Sequence, residues 1–419
     1  MEFQRRAAPP LVHVQQKLPH DHIADVRKET AKRLLDAGLK EKVRPGHRVA
    51  ITAGSRGIGG FIELLSGTVD AVKACQGEPF IIPGMGSHGG ATPEGQIELL
   101  QRLGVREQSV GAPVRATMDT LALGSAKNGA VAHLDKFAAA ADGIIVLGRV
   151  ATHPESASGI ASGLLKMVTV GLGKQAGAQQ AHSHGLWKSV KEVPRLTLAK
   201  SKILCGVAVV ENAFQQPAEI EIVPADYEAF RQADHRLLGR AKELKATLPI
   251  DELDLLIVDE VGKNIAGTGM DLNVIGNWRA TGHDPHSPNY KRIAALSLTS
   301  PSLGNGLGIG MADFTTERFM HEYDPAVTYV NLLTAQEPDG STREGPLPLA
   351  LPTDREAIEV ALYSSLAEDE PRVCRIKSTR ELSEFWVSAP LVEHVRKNSQ
   401  LEVLGSPEPL AFDHAGNLF

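Results

Sequence analysis

Cysteine is almost absent from this chain. Only Cys75, Cys205 and Cys374 occur among 419 residues, far apart and without CxxC spacing. That argues against a cysteine-bound zinc or iron–sulfur site and fits a reducing compartment, so a cytoplasmic location is expected. No run of 18 apolar residues is present, so no transmembrane helix is expected. The opening MEFQRRAAPPLV lacks the apolar core of a signal peptide. Positive charge is not in excess either. With 44 Lys and Arg against 50 Asp and Glu, the net charge of −6 disfavours a nucleic-acid or anionic-membrane surface. The expected partner is therefore a small molecule, with no nucleic acid and no membrane.

Glycine, by contrast, is plentiful: 40 residues, concentrated in particular loops. The chain is too long for one ordinary core, so two domains are expected, 1–245 and 246–419. Residues 1–20 read as an irregular arm, and Asp21 as the cap of a helix running to about Ala37. Apolar runs predict strands at Arg48–Thr52, Pro79–Ile82 and Asp142–Leu147, with helices at 61–75 and from Thr92-Pro93 to Gly104. Ala225–Thr247 reads as a long charged helix connecting the domains. Beyond it, strands are expected at 253–258, 294–299 and 372–377, with helices at 315–321, 326–335, 353–367 and 389–398. Strand, loop and helix in repetition predict an α/β fold: two α/β domains with mostly parallel sheets flanked by helices, the active site in the interdomain cleft. In such sheets the loops beyond the strands' carboxyl ends bind ligands. The loops holding Arg56, His88 and His153 each follow a strand directly.

Thr52-Ala-Gly-Ser-Arg-Gly-Ile-Gly is close to the phosphate loop of short-chain dehydrogenases. No tyrosine in the chain has a lysine four residues on, so the catalytic Tyr-xxx-Lys pair of those enzymes is missing. An NAD(P)-dependent oxidoreductase is kept as an alternative. Arg56, flanked by Ser55 and Gly57, either binds a phosphate with the loop's N–H groups or is a surface arginine in a turn.

The stretch Gly148–Gly185 presents His153, Lys166, Lys174, His182 and His184 on a background of Gly, Ala and Ser. Imidazoles supply metal ligands or acid/base groups near neutral pH, and an amine can carry a covalent bond. Lys166 lies between apolar neighbours, in Gly-Leu-Leu-Lys-Met-Val, and reads either as a low-pKa amine or as a helix lysine with its amine in water. His182 and His184 point about 200° apart if helical, so both serve one metal only where the helix has ended. Gly185 signals that end.

Taken together, a His after one strand, a His after a later strand, then a Lys and a further His resemble the nickel-dependent lactate racemase family, over about residues 45–190. The resemblance implies a nickel-pincer nucleotide, pyridinium-3-thioamide-5-thiocarboxylic acid mononucleotide, covalently attached to Lys166 in SGLLKMVTVG. It further implies His88 in GSHGGAT and His153 in ATHP as the alternating acid and base. His182 would be the nickel ligand, with His184 as substitute. Arg56, with Ser55 and Gly57, would serve the cofactor or substrate anion. The implied activity is racemisation or epimerisation of a 2-hydroxy acid at C2 by reversible hydride transfer, with cofactor-synthesis enzymes needed for loading. Three departures from the family pattern are Ala53, where the family segment has aspartate, Gly89, where an arginine commonly follows the histidine, and a 13-residue gap from His153 to Lys166. They point to a 2-hydroxy acid larger than lactate. In the second domain Lys263 and Trp278 are candidates to face the site or to serve structure. Lys174 is read as a surface residue. A non-catalytic metal- or nucleotide-binding relative is the rival from another class.

Overall fold

The computed structural model describes residues 4–55, 57–152, 162–281, 286–334 and 345–418. The chain forms two compact units, one built on His20–Lys245 and the other on Met1–Pro19, Ala246–Leu332 and Thr342–Phe419. In chain order the strands are β1 (Leu11–Gln16), β2 (Arg48–Ala53), β3 (Glu78–Pro83), β4 (Thr120–Ser125), β5 (Val131–Asp135), β6 (Gly143–Arg149), β7 (Ile203–Glu211) and β8 (Pro217–Pro224). They continue as β9 (Glu252–Val261), β10 (Asn289–Leu298), β11 (Phe314–Thr316), β12 (Leu349–Leu351), β13 (Val373–Ile376), β14 (Glu384–Ser388) and β15 (Leu401–Glu408).

The unit built on His20–Lys245 holds a five-stranded sheet in the order β3-β2-β6-β7-β8. The first four strands are parallel, and β8 runs antiparallel at the edge. The residue patterns account for this. RVAITA, GIIVLGR and ILCGVAVVE are almost continuously apolar and buried, as strands covered on both faces must be. PAEIEIVP buries only every third residue and sits at the rim. One face packs against the Val26–Asp36 and Phe61–Ala74 helices through Leu34, Leu64, Leu65 and Val72. The other packs against the Lys174–Ser183, Leu186–Lys200 and Tyr227–Leu244 helices through Ala181, Val190, Phe230 and Leu237. Because β2 is followed on one side by β3 and on the other by β6, the topology reverses between β2 and β6. Open α/β sheets bind ligands at such a reversal, beyond the strands' carboxyl ends.

The second unit carries an eight-stranded sheet, β12-β11-β10-β9-β13-β14-β1-β15. Its five strands from β12 to β13 are parallel, while β14, β1 and β15 each pair antiparallel with the strand before them in that order. The fold is thus α/β with mostly parallel sheets flanked by helices.

Three expectations are corrected. Residues 11–16 are not an irregular arm: LVHVQQ alternates sides and pairs with both β14 and β15, so its backbone groups are met on each edge. The first helix is capped by Asp25, which accepts the Lys28 N–H at 3.0 Å, rather than by Asp21. The Tyr227–Leu244 helix is no connector. Phe230, Ala233, Leu237, Leu238 and Ala241 bury its apolar stripe against the first sheet.

Candidate functional site

The loops that follow β2 and β3 meet at a hydrogen bond. Ser55 Oγ lies 2.6 Å from His88 Nδ1, each residue a few positions beyond its strand's carboxyl end. The His88 loop turns through left-handed backbone at Gly86, Gly89, Gly90 and Ala91. It leads into the Pro93–Arg102 helix, whose N-cap Thr92 accepts the Gly95 N–H at 3.1 Å.

Lys166 ends a short helical turn, Leu164–Lys166, that passes directly into a π-helical turn at Met167–Gly171. The wider turn is closed by Leu172 N–H donating to Met167 C=O at 2.9 Å. Single π-turns are enriched at functional sites. Met167, the residue after Lys166, is wedged into the sheet's carboxyl edge. A Cβ at Gly84, just beyond β3, would stand 2.7 Å from Met167 Sδ, and one at Gly54, just beyond β2, 3.6 Å from its methyl. Only glycine at 84 permits that approach. The Lys166 segment is therefore seated on the same loops that hold Ser55 and His88. Lys166 is half-buried, and its amine lies 5.1 Å from the centre of the Trp187 ring, a cation–π distance.

From the other side the segment is capped by Asp234 on the Tyr227–Leu244 helix. Its buried carboxylate accepts the Leu164 N–H at 2.8 Å and the Leu165 N–H at 2.9 Å. Gly163 makes this possible, since a Cβ there would fall 2.3 Å from Asp234 Oδ1. Burial pushes the Asp234 carboxyl up to about 6, against the two N–H bonds that hold it down.

His182 is half-buried in the last turn of the Lys174–Ser183 helix. His184 is its C-cap and is engaged locally. Its Nδ1 lies 3.0 Å from Gln180 C=O and 3.1 Å from Ser183 Oγ, and its ring faces Gly129 in the β4–β5 turn. Gly57, two residues after Ser55, is in left-handed backbone. Arg56 and His153 lie outside the described residues. In the second unit, Lys263 N–H donates to Ser302 Oγ at 2.9 Å and its amine donates to Gly267 C=O. Trp278 Nε1 donates to Pro288 C=O at 2.9 Å. Both are tied into their own loops.

Lys174 departs most from expectation. It is fully buried, not on the surface, and sits at φ 57° as the first residue of its helix. Its amine donates to Pro83 C=O at 2.9 Å and to the Gln96 side-chain oxygen, with Asp135 Oδ2 at 3.6 Å. Burial lowers the amine to about 8, opposed by Asp135, and raises the Asp135 carboxyl.

Sequence reasoning overlooked Asp234, Trp187, Gln96 and Asp135. For two of them a signal existed. Asp234 interrupts an apolar stripe four residues from Phe230 and Leu238, and Gln96 lies four residues before Leu100 on the buried face of its helix. A polar residue inside an apolar stripe is held by a partner when buried.

Among the described residues, no group of three or more His, Cys, Asp or Glu is arranged to hold a metal ion by itself. No helix among them is long and apolar enough to cross a membrane. No family profile matches the sequence, and no curated protein matches it. Among solved structures, the lactate racemase apoprotein from Thermoanaerobacterium thermosaccharolyticum is similar at 12% identity, over 68% of this chain and 74% of that one, with a TM-score of 0.44.

Proposed function

We infer that the chain is a racemase or epimerase of 2-hydroxy acids, working with a nickel-pincer nucleotide tethered to Lys166. The observation that carries this reading is the seating of the Lys166 segment on the β2 and β3 loops that hold the Ser55–His88 pair. That seating lies at the topological reversal of a parallel sheet, where a nucleotide is favoured.

The residues fit the group. Lys166, a half-buried residue, offers an amine beside an aromatic face for a thioamide tether. An imidazole is a good nickel ligand, and His182 would supply one while the cofactor's own sulfurs and ring carbon supply the rest. His184, engaged with Gln180, is the weaker candidate. Arg56, with Ser55 and Gly57, would hold the phosphate or the substrate carboxylate. When bound, the nucleotide supplies a hydride acceptor, which no side chain of the protein can provide.

The protein's own share is proton transfer. With Nδ1 engaged by Ser55, His88 would take or return the substrate hydroxyl proton through Nε2. His153 would do the same for the opposite enantiomer. Two bases on two faces are what inversion requires, since either hand of the substrate must be both formed and consumed. The substrate class is a 2-hydroxy acid larger than lactate, as the departures at Ala53 and Gly89 suggest.

Expression together with the cofactor-synthesis enzymes tests this. A loaded chain is expected to gain the cofactor's mass on Lys166 and to contain nickel. A chiral assay over 2-hydroxy acids should then show inversion at C2 without wash-in of solvent deuterium, because a hydride travels rather than a proton. His88→Ala and His153→Ala should each lower the rate by about 100-fold or more while nickel stays bound. Protein that takes up neither mass nor nickel refutes the reading, and full activity in either histidine variant refutes the two-base assignment.

A further inference from the structure

The buried Lys174 has no role in the chemistry above, yet its cost is high. An ion pair shut away from water is often no more stabilising than apolar residues of the same volume. What apolar residues lack is the ability to hold particular backbone oxygens in place. Here the oxygens held lie at the end of β3 and in the loop that follows it.

Gln96, fully buried, donates one side-chain N–H to Gly86 C=O at 2.9 Å and the other to His88 C=O at 3.1 Å. Its oxygen accepts from the Lys174 amine, which also donates to Pro83 C=O at 2.9 Å. Asp135 Oδ2, fully buried, lies 3.6 Å from the same amine. Asp135 Oδ1 is occupied by the Phe137 and Ala138 N–H groups at 2.8 and 3.1 Å. The ammonium thus donates to two oxygens and has Asp135 Oδ2 beside it as the charge partner, whereas a neutral amine would offer that carboxylate no charge. Pro83, Gly86 and His88 are held at three points within six residues. The loop needs such outside restraint, because Gly86, Gly89 and Gly90 lie at φ 57°, 71° and 65°, where glycine has no strong preference of its own.

We propose that Lys174, Asp135 and Gln96 form a buried positioning unit that holds the His88 loop and so sets where the His88 imidazole stands. None of the three touches substrate. The proposal rests on the reading above only for the task His88 performs; the restraint itself concerns the protein without cofactor.

The test uses the full-length, unloaded chain. Gln96→Glu keeps the size and the bond to Lys174 but removes both N–H donors to the loop. Alongside it, Lys174→Met with Asp135→Asn removes the buried charges together. Amide exchange in residues 85–92 and the imidazole NMR titration of His88 are compared with the parent, with strand 48–53 as internal reference. Both variants are expected to exchange about tenfold faster or more in 85–92 and to move the His88 titration, with the reference strand unchanged. A folded variant of either kind with parental exchange in 85–92 and a parental His88 titration overturns the proposal. Equal acceleration in the reference strand also overturns it, because the unit would then be holding the whole sheet. In loaded enzyme, Gln96→Glu should lower kcat while KM stays close to the parent. These exchange and titration results need neither nickel nor substrate, so a chain that never loads cofactor sinks the racemase reading while leaving this one to its own data.

Discussion

Ser55 and His88 are 33 positions apart in sequence and 2.6 Å apart in space. The bond between them governs which imidazole nitrogen carries the proton, because a hydroxyl held at Nδ1 biases the tautomer and the ring angle. Ser55→Ala is expected to shift the His88 tautomer balance, read from its ring nitrogen NMR shifts. In loaded enzyme it should lower kcat by about threefold to tenfold, the worth of one hydrogen bond, with KM little changed. Unaltered ring shifts in the variant would show that Ser55 leaves the imidazole alone. Both residues were visible as candidates from their loops after apolar strands. Their contact was not visible, since it depends on β2 and β3 lying side by side in register. Lys174 shows the opposite limit. A lysine in Gly-Leu-Gly-Lys-Gln reads as solvent-facing, and only the arrival of Pro83, Gln96 and Asp135 around it makes burial tolerable.

Among the elements, the Tyr227–Leu244 helix changed most between sequence and structure. Its charged residues suggested a spacer, but its seventh and eighth residues, Ala233 and Asp234, are buried. Asp234 caps the two N–H groups that open the Lys166 turn. Its carboxyl stands at about 6 when folded against 3.8 as the ordinary value. Between those pH values the folded chain holds a proton that the unfolded chain has released, so this group's contribution to stability is greatest below pH 4 and is lost as pH rises through 6. Other carboxylates act in the opposite sense, so the comparison to make is with Asp234→Asn. Urea unfolding from pH 4 to 8 should show the parent losing stability relative to that variant across pH 4 to 6, with a constant difference above. A constant difference over the whole range would mean that Asp234 titrates normally. The capping bonds themselves make Asp234→Ala about 1–3 kcal/mol less stable than the parent, since two buried donors lose their acceptor.

Across the whole molecule, nothing along the chain relates the first strand to residues 384–408. β1 is inserted between β14 and β15, so a segment from the chain's start completes a sheet built from its end. Removal of residues 1–19 is expected to leave β14 as an open edge and β15 without the strand it pairs with. Hydrogen exchange should then rise in 384–388 and 401–408 while 48–53 and 143–149 keep their protection. Protection retained at β14 and β15 would mean that those strands close on each other without β1.

Local pattern carried much of this protein. The apolar runs at 48–53, 78–83 and 143–149 form buried parallel strands because both faces must be covered, and Thr92-Pro93 starts a helix because its chemistry is local. The glycine-rich loops after β2 and β3 were legible as lying beyond the strands' carboxyl ends for the same reason. What the tertiary structure alone decided is which loops meet. The strand order β3-β2-β6-β7 sets the reversal between β2 and β6, packing of Met167 against Gly84 seats the Lys166 turn there, and the buried partners of Lys174 and Asp234 become partners only once distant helices close on the sheet. Such contacts join residues up to 91 positions apart, and no periodicity along a chain encodes a distance across it.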